Sequence, residues 1–185
     1  MTSTVLITGC SSGIGAATVR HFAAQGWNVA ATLRDPAAAH FEDSAGKVAS
    51  FALDVTDPQS VDAAVAQAVE RFGHIDVLIN NAGYGLFGPF ETATQEVIER
   101  QFQTNVFGVF AVTRAVLPHM RERAGGVIIN VASLTGLVAM PLYSLYAASK
   151  FAVVGFSESL SHELAPLGIR VKVFAPGAVA TDFSG

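Results

Sequence analysis

Short runs rich in valine, isoleucine and leucine alternate with longer segments of helical period along the whole chain, and no other feature restricts its fold as tightly. The runs predict strands at 4–8, 28–33, 48–53, 77–80, 126–132 and 170–174, each short and partly β-branched or aromatic. Between them the pattern predicts helices at 14–25, at 59–72 behind the Asp57-Pro58 start signal, over a long stretch at 102–123 that ends at Gly125-Gly126, and from about Tyr146 to Leu164. Strand and helix in alternation, joined by right-handed crossovers, give an open parallel sheet with helices on both faces: a doubly wound α/β domain of three layers. Composition agrees, since 51% hydrophobic against 14% charged residues suits strands buried on both sides. With 185 residues there is material for one such core and no Pro/Ser linker to divide it, so residues 1–185 read as one domain. In this architecture ligands bind beyond the carboxyl ends of the strands, so function is expected there.

Several classes of function lack their signatures. Net charge is -4 and the basic residues are scattered, which leaves no electrostatic footprint for nucleic acid or anionic lipid. No apolar run reaches membrane-spanning length, and the first residues lack a basic leader; with one cysteine, Cys10, no internal disulfide is expected, and a cytoplasmic setting is the default expectation. Metal-binding spacings are absent, and the five histidines are dispersed, so no metal is expected; His119 and His162 read as helix-surface residues. Ser133 lacks the Gly-x-Ser-x-Gly elbow of a serine hydrolase.

The first strand runs into Thr8-Gly9-Cys10-Ser11-Ser12-Gly13-Ile14-Gly15 and then a helix, the context of a dinucleotide-binding turn. Glycines let a pyrophosphate approach the backbone, and the helix start offers free N–H groups and a partial positive charge. The spacing Gly-x-x-x-Gly-x-Gly alone is equally compatible with a plain structural turn. Cys10 has no base or cation beside it in sequence, which disfavours a reactive thiol. At the end of the second strand, NAD enzymes place an acid against the ribose 2′-hydroxyl. Here Leu33 takes that position and Arg34 follows, an arrangement that suits the 2′-phosphate of NADP. A register shift of two residues would instead put Asp35 at the acid position and select NAD; otherwise Asp35 caps the turn at Pro36.

Tyr146 and Lys150 stand four residues apart and so share one helix face. A free tyrosine titrates at about 10, and an ammonium about 5 Å away at an effective dielectric of roughly 20 favours the phenolate by about 3 kcal/mol. The expectation is that Lys150 brings Tyr146 down toward neutral pH. Tyr143 has Ala147 four residues on, so the pairing singles out Tyr146. Ser133, at the carboxyl end of the fifth strand, can hydrogen-bond a substrate oxygen or serve as an ordinary turn residue.

The glycine turn, Asp54, Asn80-Asn81-Ala82-Gly83, Asn105, Ser133, Tyr146-x-x-x-Lys150 and Pro176-Gly177 with Thr181 follow one another in an order and spacing that resemble the short-chain dehydrogenase/reductase family over nearly the whole chain. The turn and the Ala-Thr-Leu-Arg-Asp strand end are most similar to NADP-preferring members that act on steroids, retinoids and other lipophilic carbonyls. The resemblance implies a Rossmann-type sheet of order 3-2-1-4-5-6, with the family's seventh strand and its substrate lid lying outside residues 1–185. It implies an oxidoreductase that interconverts a ketone or aldehyde and an alcohol. Tyr146 would be the general acid/base, Ser133 would orient the substrate oxygen, Lys150 would hold the nicotinamide ribose, and Asn105 would support a proton relay. Gly9, Ser11, Ser12, Gly13, Ile14, Gly15, Arg34, Asp54, Val55, Asn81, Ala82, Gly83, Pro176, Gly177, Val179 and Thr181, with Tyr146 and Lys150, would contact NADP. The apolar stretch 134–142 with Tyr84, Leu86 and Phe87 would line a crevice for a lipophilic substrate. Phenylalanines on the helices near 102–123 and 146–164 suggest pairing with a second copy into a homodimer or homotetramer. The competing expectation is a dinucleotide-binding sensor or scaffold without chemistry, or an inactive truncated reductase.

Overall fold

The computed structural model describes residues 2–38, 41 and 46–179. Six parallel strands, β1 (Thr4–Thr8), β2 (Asn28–Leu33), β3 (Val48–Ala52), β4 (Val77–Asn80), β5 (Gly126–Val131) and β6 (Ile169–Phe174), form one sheet in the order β3-β2-β1-β4-β5-β6. The helices are α1 (Gly13–Ala24), α2 (Pro58–Phe72), α3 (Gln95–Phe102), α4 (Gly108–Glu122) and α5 (Ser144–Leu164). The order matches the expected one.

Side chains alternate across the pleat, so each strand feeds two cores. On one face Leu6, Ala30, Leu78 and Ile128 pack against Val61 and Val65 of α2, Val112 and Val116 of α4, and Leu160 and Leu164 of α5. On the other, Val5, Ile7, Val29, Ala31 and Ile79 pack against Val19 of α1, with Phe22 set edge-on to Trp27 at 5.0 Å between centroids. Each fully buried valine, leucine or isoleucine contributes about 1.5–3 kcal/mol. The helix ends are chemically marked. Asp57 caps α2 by accepting from the Gln59 N–H at 3.0 Å, Pro58 takes the first helical position, and Gly73 closes it at φ 82°.

Buried amides and hydroxyls tie the layers together. Asn80 Nδ2 donates to Asn130 Oδ1 at 2.8 Å and to Thr113 Oγ1 at 3.0 Å, and Asn130 Nδ2 donates to Ser157 Oγ at 2.8 Å. This string fixes β4 against β5, with α4 and α5 over them, directly beneath the strand ends that carry the candidate site.

The structure corrects the helix expected at 102–123. Helix starts at Gln95, where Thr94 Oγ1 accepts from the Val97 N–H, and passes through a π turn at Gln103–Phe107 before continuing as α4. The polar opening Gln-Glu hides this start from an apolar-periodicity reading. Two strand ends shift by one residue because the ladder outlasts the strand: Leu53 N–H still donates to Leu33 O at 2.9 Å, and Ala132 N–H to Phe174 O at 2.8 Å. At the other boundary β6 begins at Ile169, which pairs with Gly126. Among the described residues no helix is long and apolar enough to cross a membrane.

Candidate active site

The chain leaves β1 for β2 and β3 on one side and returns to β4, β5 and β6 on the other, so a crevice opens where the β1 and β4 connections part. Gly9, Arg34, Asp54, Asn81, Ser133 and Pro176 all follow directly after the carboxyl ends of their strands.

The glycine turn is packed too closely for side chains. A Cβ on Gly9, which sits at φ 71°, would lie 2.8 Å from Ala82 Cα; one on Gly15 would collide with the Gly9 carbonyl oxygen and lie 2.6 Å from Asn81 Nδ2. Asn81 braces the turn by donating from Nδ2 to the carbonyls of Thr8 (2.9 Å) and Gly9 (3.0 Å). Thr8 answers, its Oγ1 accepting from the N–H groups of Asn81 and Ala82 at 3.0 Å each. That bracing role of Thr8 escaped the sequence reading, although a hydroxyl residue at the strand-to-turn junction is a visible signal. Ser12 precedes α1 with no side-chain cap bond, so it does not occupy the N–H groups of Gly13 and Ile14. Cys10 is fully buried, donates to Ile7 O, and is pushed up to about 12 by burial, which makes it inert at neutral pH.

Arg34 is exposed at the end of β2. Asp35 Oδ1 accepts from the Ala37 N–H at 3.0 Å, so Asp35 caps the turn at Pro36 as one reading expected. Asp54 is held below the usual carboxylate range by bonds from the Thr56 N–H and hydroxyl, with a smaller contribution from the Arg34 charge. Val55 packs where a Cβ on Gly108 would come within 2.7 Å.

Tyr146 and Lys150 are both buried in the first turns of α5. Lys150 Nζ donates to Val131 O at 2.8 Å and lies over the Tyr146 ring, 5.8 Å from its centroid. Ser133 Oγ accepts from the Thr135 N–H and hydroxyl, and the Ser133 side chain also hydrogen-bonds Tyr146. Burial is the largest influence on both titrating groups. It raises Tyr146 above its ordinary value, against the Ser133 bond, which lowers it, and it pulls Lys150 down to about 8. This overturns the expectation that Lys150 brings Tyr146 down: the amine lies over the ring and is bonded to Val131 O, and the loss of water at Tyr146 outweighs the Ser133 bond.

Asn105 sits in the π turn and is buried. Its Oδ1 accepts from the Tyr84 N–H at 3.1 Å, while Nδ2 donates to Tyr84 O at 2.9 Å and Ser149 Oγ at 3.2 Å. A Cβ on Gly83 would lie 3.0 Å from Asn105 Oδ1 and 3.6 Å from Lys150 Nζ, so these three residues converge. Around the mouth, Phe87 meets Tyr143 at 4.5 Å and Tyr146 edge-on at 5.9 Å. Gly88 N–H donates to Leu142 O at 2.9 Å, and Leu142 is held at φ 65°, a left-handed conformation that a branched side chain tolerates poorly. Pro176 O accepts from the Leu134 N–H at 2.9 Å, which joins the segment after β6, with Gly177 and Val179, to the Ser133 loop. Thr181 lies outside the described residues.

The family description "short chain dehydrogenase" matches residues 3–185. The chain belongs to the short-chain dehydrogenase family. A 3-ketodihydrosphingosine reductase of Bacteroides thetaiotaomicron is 44% identical over 180 residues, covering 97% of this chain and 65% of the relative. Two other relatives are covered to 62%, so this short-chain dehydrogenase chain spans a little under two thirds of their length. Among solved structures, ElxO with NADP bound superposes with a TM-score of 0.91 at 32% identity over 98% of this chain and 76% of its own. A 3-ketoacyl-(acyl-carrier-protein) reductase from Brucella melitensis, complexed with NADH, gives 0.92 at 37% identity, covering 98% and 78%. The family ties this short-chain dehydrogenase to a dinucleotide, whose phosphates fit the α1 start left uncapped behind a turn in which Gly9 and Gly15 leave no room for a Cβ.

Proposed function

We propose that the chain is an NADP(H)-dependent oxidoreductase interconverting a lipophilic ketone or aldehyde and its alcohol, with Tyr146 as general acid and base. One observation carries the reading: Tyr146 is bonded by Ser133 and overlain by Lys150, and Lys150 borders Gly83, next to the Ala82 that packs on Gly9 of the braced turn. A nicotinamide supplies or accepts the hydride when bound there.

The residues divide the remaining work. Tyr146, kept in its phenol form by burial, holds the proton that a carbonyl oxygen requires as it becomes an alcohol; in the reverse direction the phenolate takes that proton back. Ser133 orients the same oxygen and shares its developing charge. Lys150, at about 8, can release and regain a proton near neutral pH, which suits a relay behind Tyr146, and it is placed to hold the nicotinamide ribose. Asn105 supports that relay through its contacts in the π turn. Gly9, Ser11, Ser12, Gly13, Ile14 and Gly15 receive the pyrophosphate, Asp54 and Val55 the adenine, the Asn81–Gly83 backbone borders the cofactor, and Pro176, Gly177, Val179 and Thr181 are assigned to the carboxamide side.

Preference for NADP rests on Arg34, exposed at the strand end, and on Asp35, whose carboxylate is already engaged as a cap. The lipophilic substrate rests on the exposed Phe87, Leu137, Val138, Met140 and Leu142 around the mouth. Phe107 and Phe151, 51% and 44% exposed on the helical layer, favour pairing with a second copy. A monomer mass by light scattering would remove the pairing.

The test is calorimetric titration with NADPH and then NADH, followed by NADPH oxidation in the presence of 3-ketodihydrosphingosine and shorter aliphatic ketones. Tighter NADPH binding and turnover of a ketone are expected. Failure to bind either dinucleotide would end the proposal, and binding without turnover would leave a sensor or scaffold.

A further inference from the structure

Gln101, in the last turn of α3, is fully buried, and its Oε1 has no hydrogen-bond partner among the described residues. Burying an amide oxygen in that way costs stability, and a methionine or leucine of similar volume would fill the same space without the penalty. Packing therefore does not account for a glutamine here. Its donor end does have a partner: Nε2 donates to Tyr84 O at 2.9 Å.

Tyr84 O is the acceptor that Asn105 Nδ2 also uses, and the Tyr84 N–H is the donor to Asn105 Oδ1. Gln101 and Asn105 lie one helical turn apart on the same face and together grip both polar groups of the Tyr84 backbone. Tyr84 follows Gly83, where an added Cβ would lie against both Asn105 Oδ1 and Lys150 Nζ. Beyond Asn105 the string continues: Ser149 Oγ, which accepts from Asn105 Nδ2, donates to Tyr146 O at 2.7 Å. A line of hydrogen bonds thus runs from α3 through the β4 loop and the π turn to the backbone of the tyrosine turn.

We propose that Gln101 is a positioning residue, which fixes the Tyr84 backbone as the fulcrum that sets Asn105 and, through Ser149, the Tyr146 turn. It touches neither cofactor nor substrate. With Gln101 removed, Asn105 alone holds the Tyr84 carbonyl, and the π turn can shift against the loop on which Gly83 stands. The inference rests on the reading of Tyr146 and Lys150 as the reacting pair.

The test compares Gln101→Met, which keeps volume and loses the donor, with Gln101→Glu, which keeps shape and, when ionised, cannot donate to a carbonyl. Hydrogen exchange at the Tyr84 N–H should accelerate about tenfold in both, the effect of losing one hydrogen bond that supports another, while exchange at Leu78 in the sheet stays unchanged. With a ketone that the parent chain reduces, kcat should fall about tenfold at nearly constant KM, and Gln101→Met should add nothing in an Asn105→Ala background. Unchanged exchange at Tyr84, or a loss of kcat that simply adds to that of Asn105→Ala, would overturn the assignment. If the parent chain reduces no ketone, the proposed function falls, and exchange at Tyr84 still decides whether Gln101 sets this loop.

Discussion

The two ends of the crevice are built from different materials. At the glycine turn close backbone packing sets the shape, and the side chains of Asn81 and Thr8 brace it. At the tyrosine end the parts are side chains that titrate, both shifted by burial. The contrast teaches that the first end works by shape and the second by protonation. Damage to the first should appear as lost binding and lost stability, whereas damage to the second should appear as lost rate, sometimes with stability gained.

The sharpest break is Tyr146→Phe. It removes the proton and little else from a packed site, so turnover should fall by about 10²–10⁴-fold while the NADPH dissociation constant stays within a few-fold. Steady-state kinetics beside calorimetry reads both, and equal losses of rate and affinity would erase the distinction between the ends.

At the other end, Gly15→Ala drives a methyl into the Gly9 carbonyl and Asn81. Overpacking of this kind costs about 1–3 kcal/mol. Chemical denaturation should show that loss, and NADPH binding should weaken with it, while the residual turnover at saturating NADPH stays close to the parent value.

Lys150→Met should reveal the opposite sign. Burial holds Lys150 at about 8 against an ordinary 10.5, so below pH 8 the fold carries a charge that it solvates poorly. Between these values the unfolded chain binds the proton more readily than the folded one, so this group's contribution to stability rises with pH. The variant should therefore be more stable than the parent at neutral pH by up to about 3 kcal/mol, less the lost bond to Val131 O, and inactive. The gain should fade as pH climbs from about 8 toward 10.5. Thermal melts across that range check it.

The smallest effect belongs to Arg34→Ala. Losing one charged contact to a 2′-phosphate should weaken NADPH by about tenfold or somewhat more and leave NADH nearly unchanged. Equal losses for the two would show that Arg34 is not the discriminating group.

Much of this arrangement was legible in the sequence, for identifiable reasons. Strands such as Val77–Asn80 are short, apolar and bounded by breakers, and their positions follow from that pattern. The residues at their carboxyl ends follow from topology. What escaped depends on three-dimensional company. The π turn at Asn105 leaves no trace in periodicity, and the start of α3 is polar. The sign of the Tyr146 shift lies outside spacing, which reports that Lys150 is close but not that both groups are dry. Gln101 has no mark in the sequence beyond lying four residues before Asn105, since a lone glutamine on a helix is ordinarily a surface residue and its burial shows only in the fold.

The pairing of β1 with β4 also governs the order in which the chain becomes competent. The Thr4 N–H donates to the Asp76 carboxylate across a separation of 72 residues, and the Asn81 brace on the glycine turn spans much the same distance. Contacts so remote in sequence form after local ones, because a long loop must close first. During synthesis, β1, α1 and β2 can assemble early with the glycine turn unbraced; only when β4 arrives does that turn acquire its final shape. The first motif to be made is thus among the last to mature.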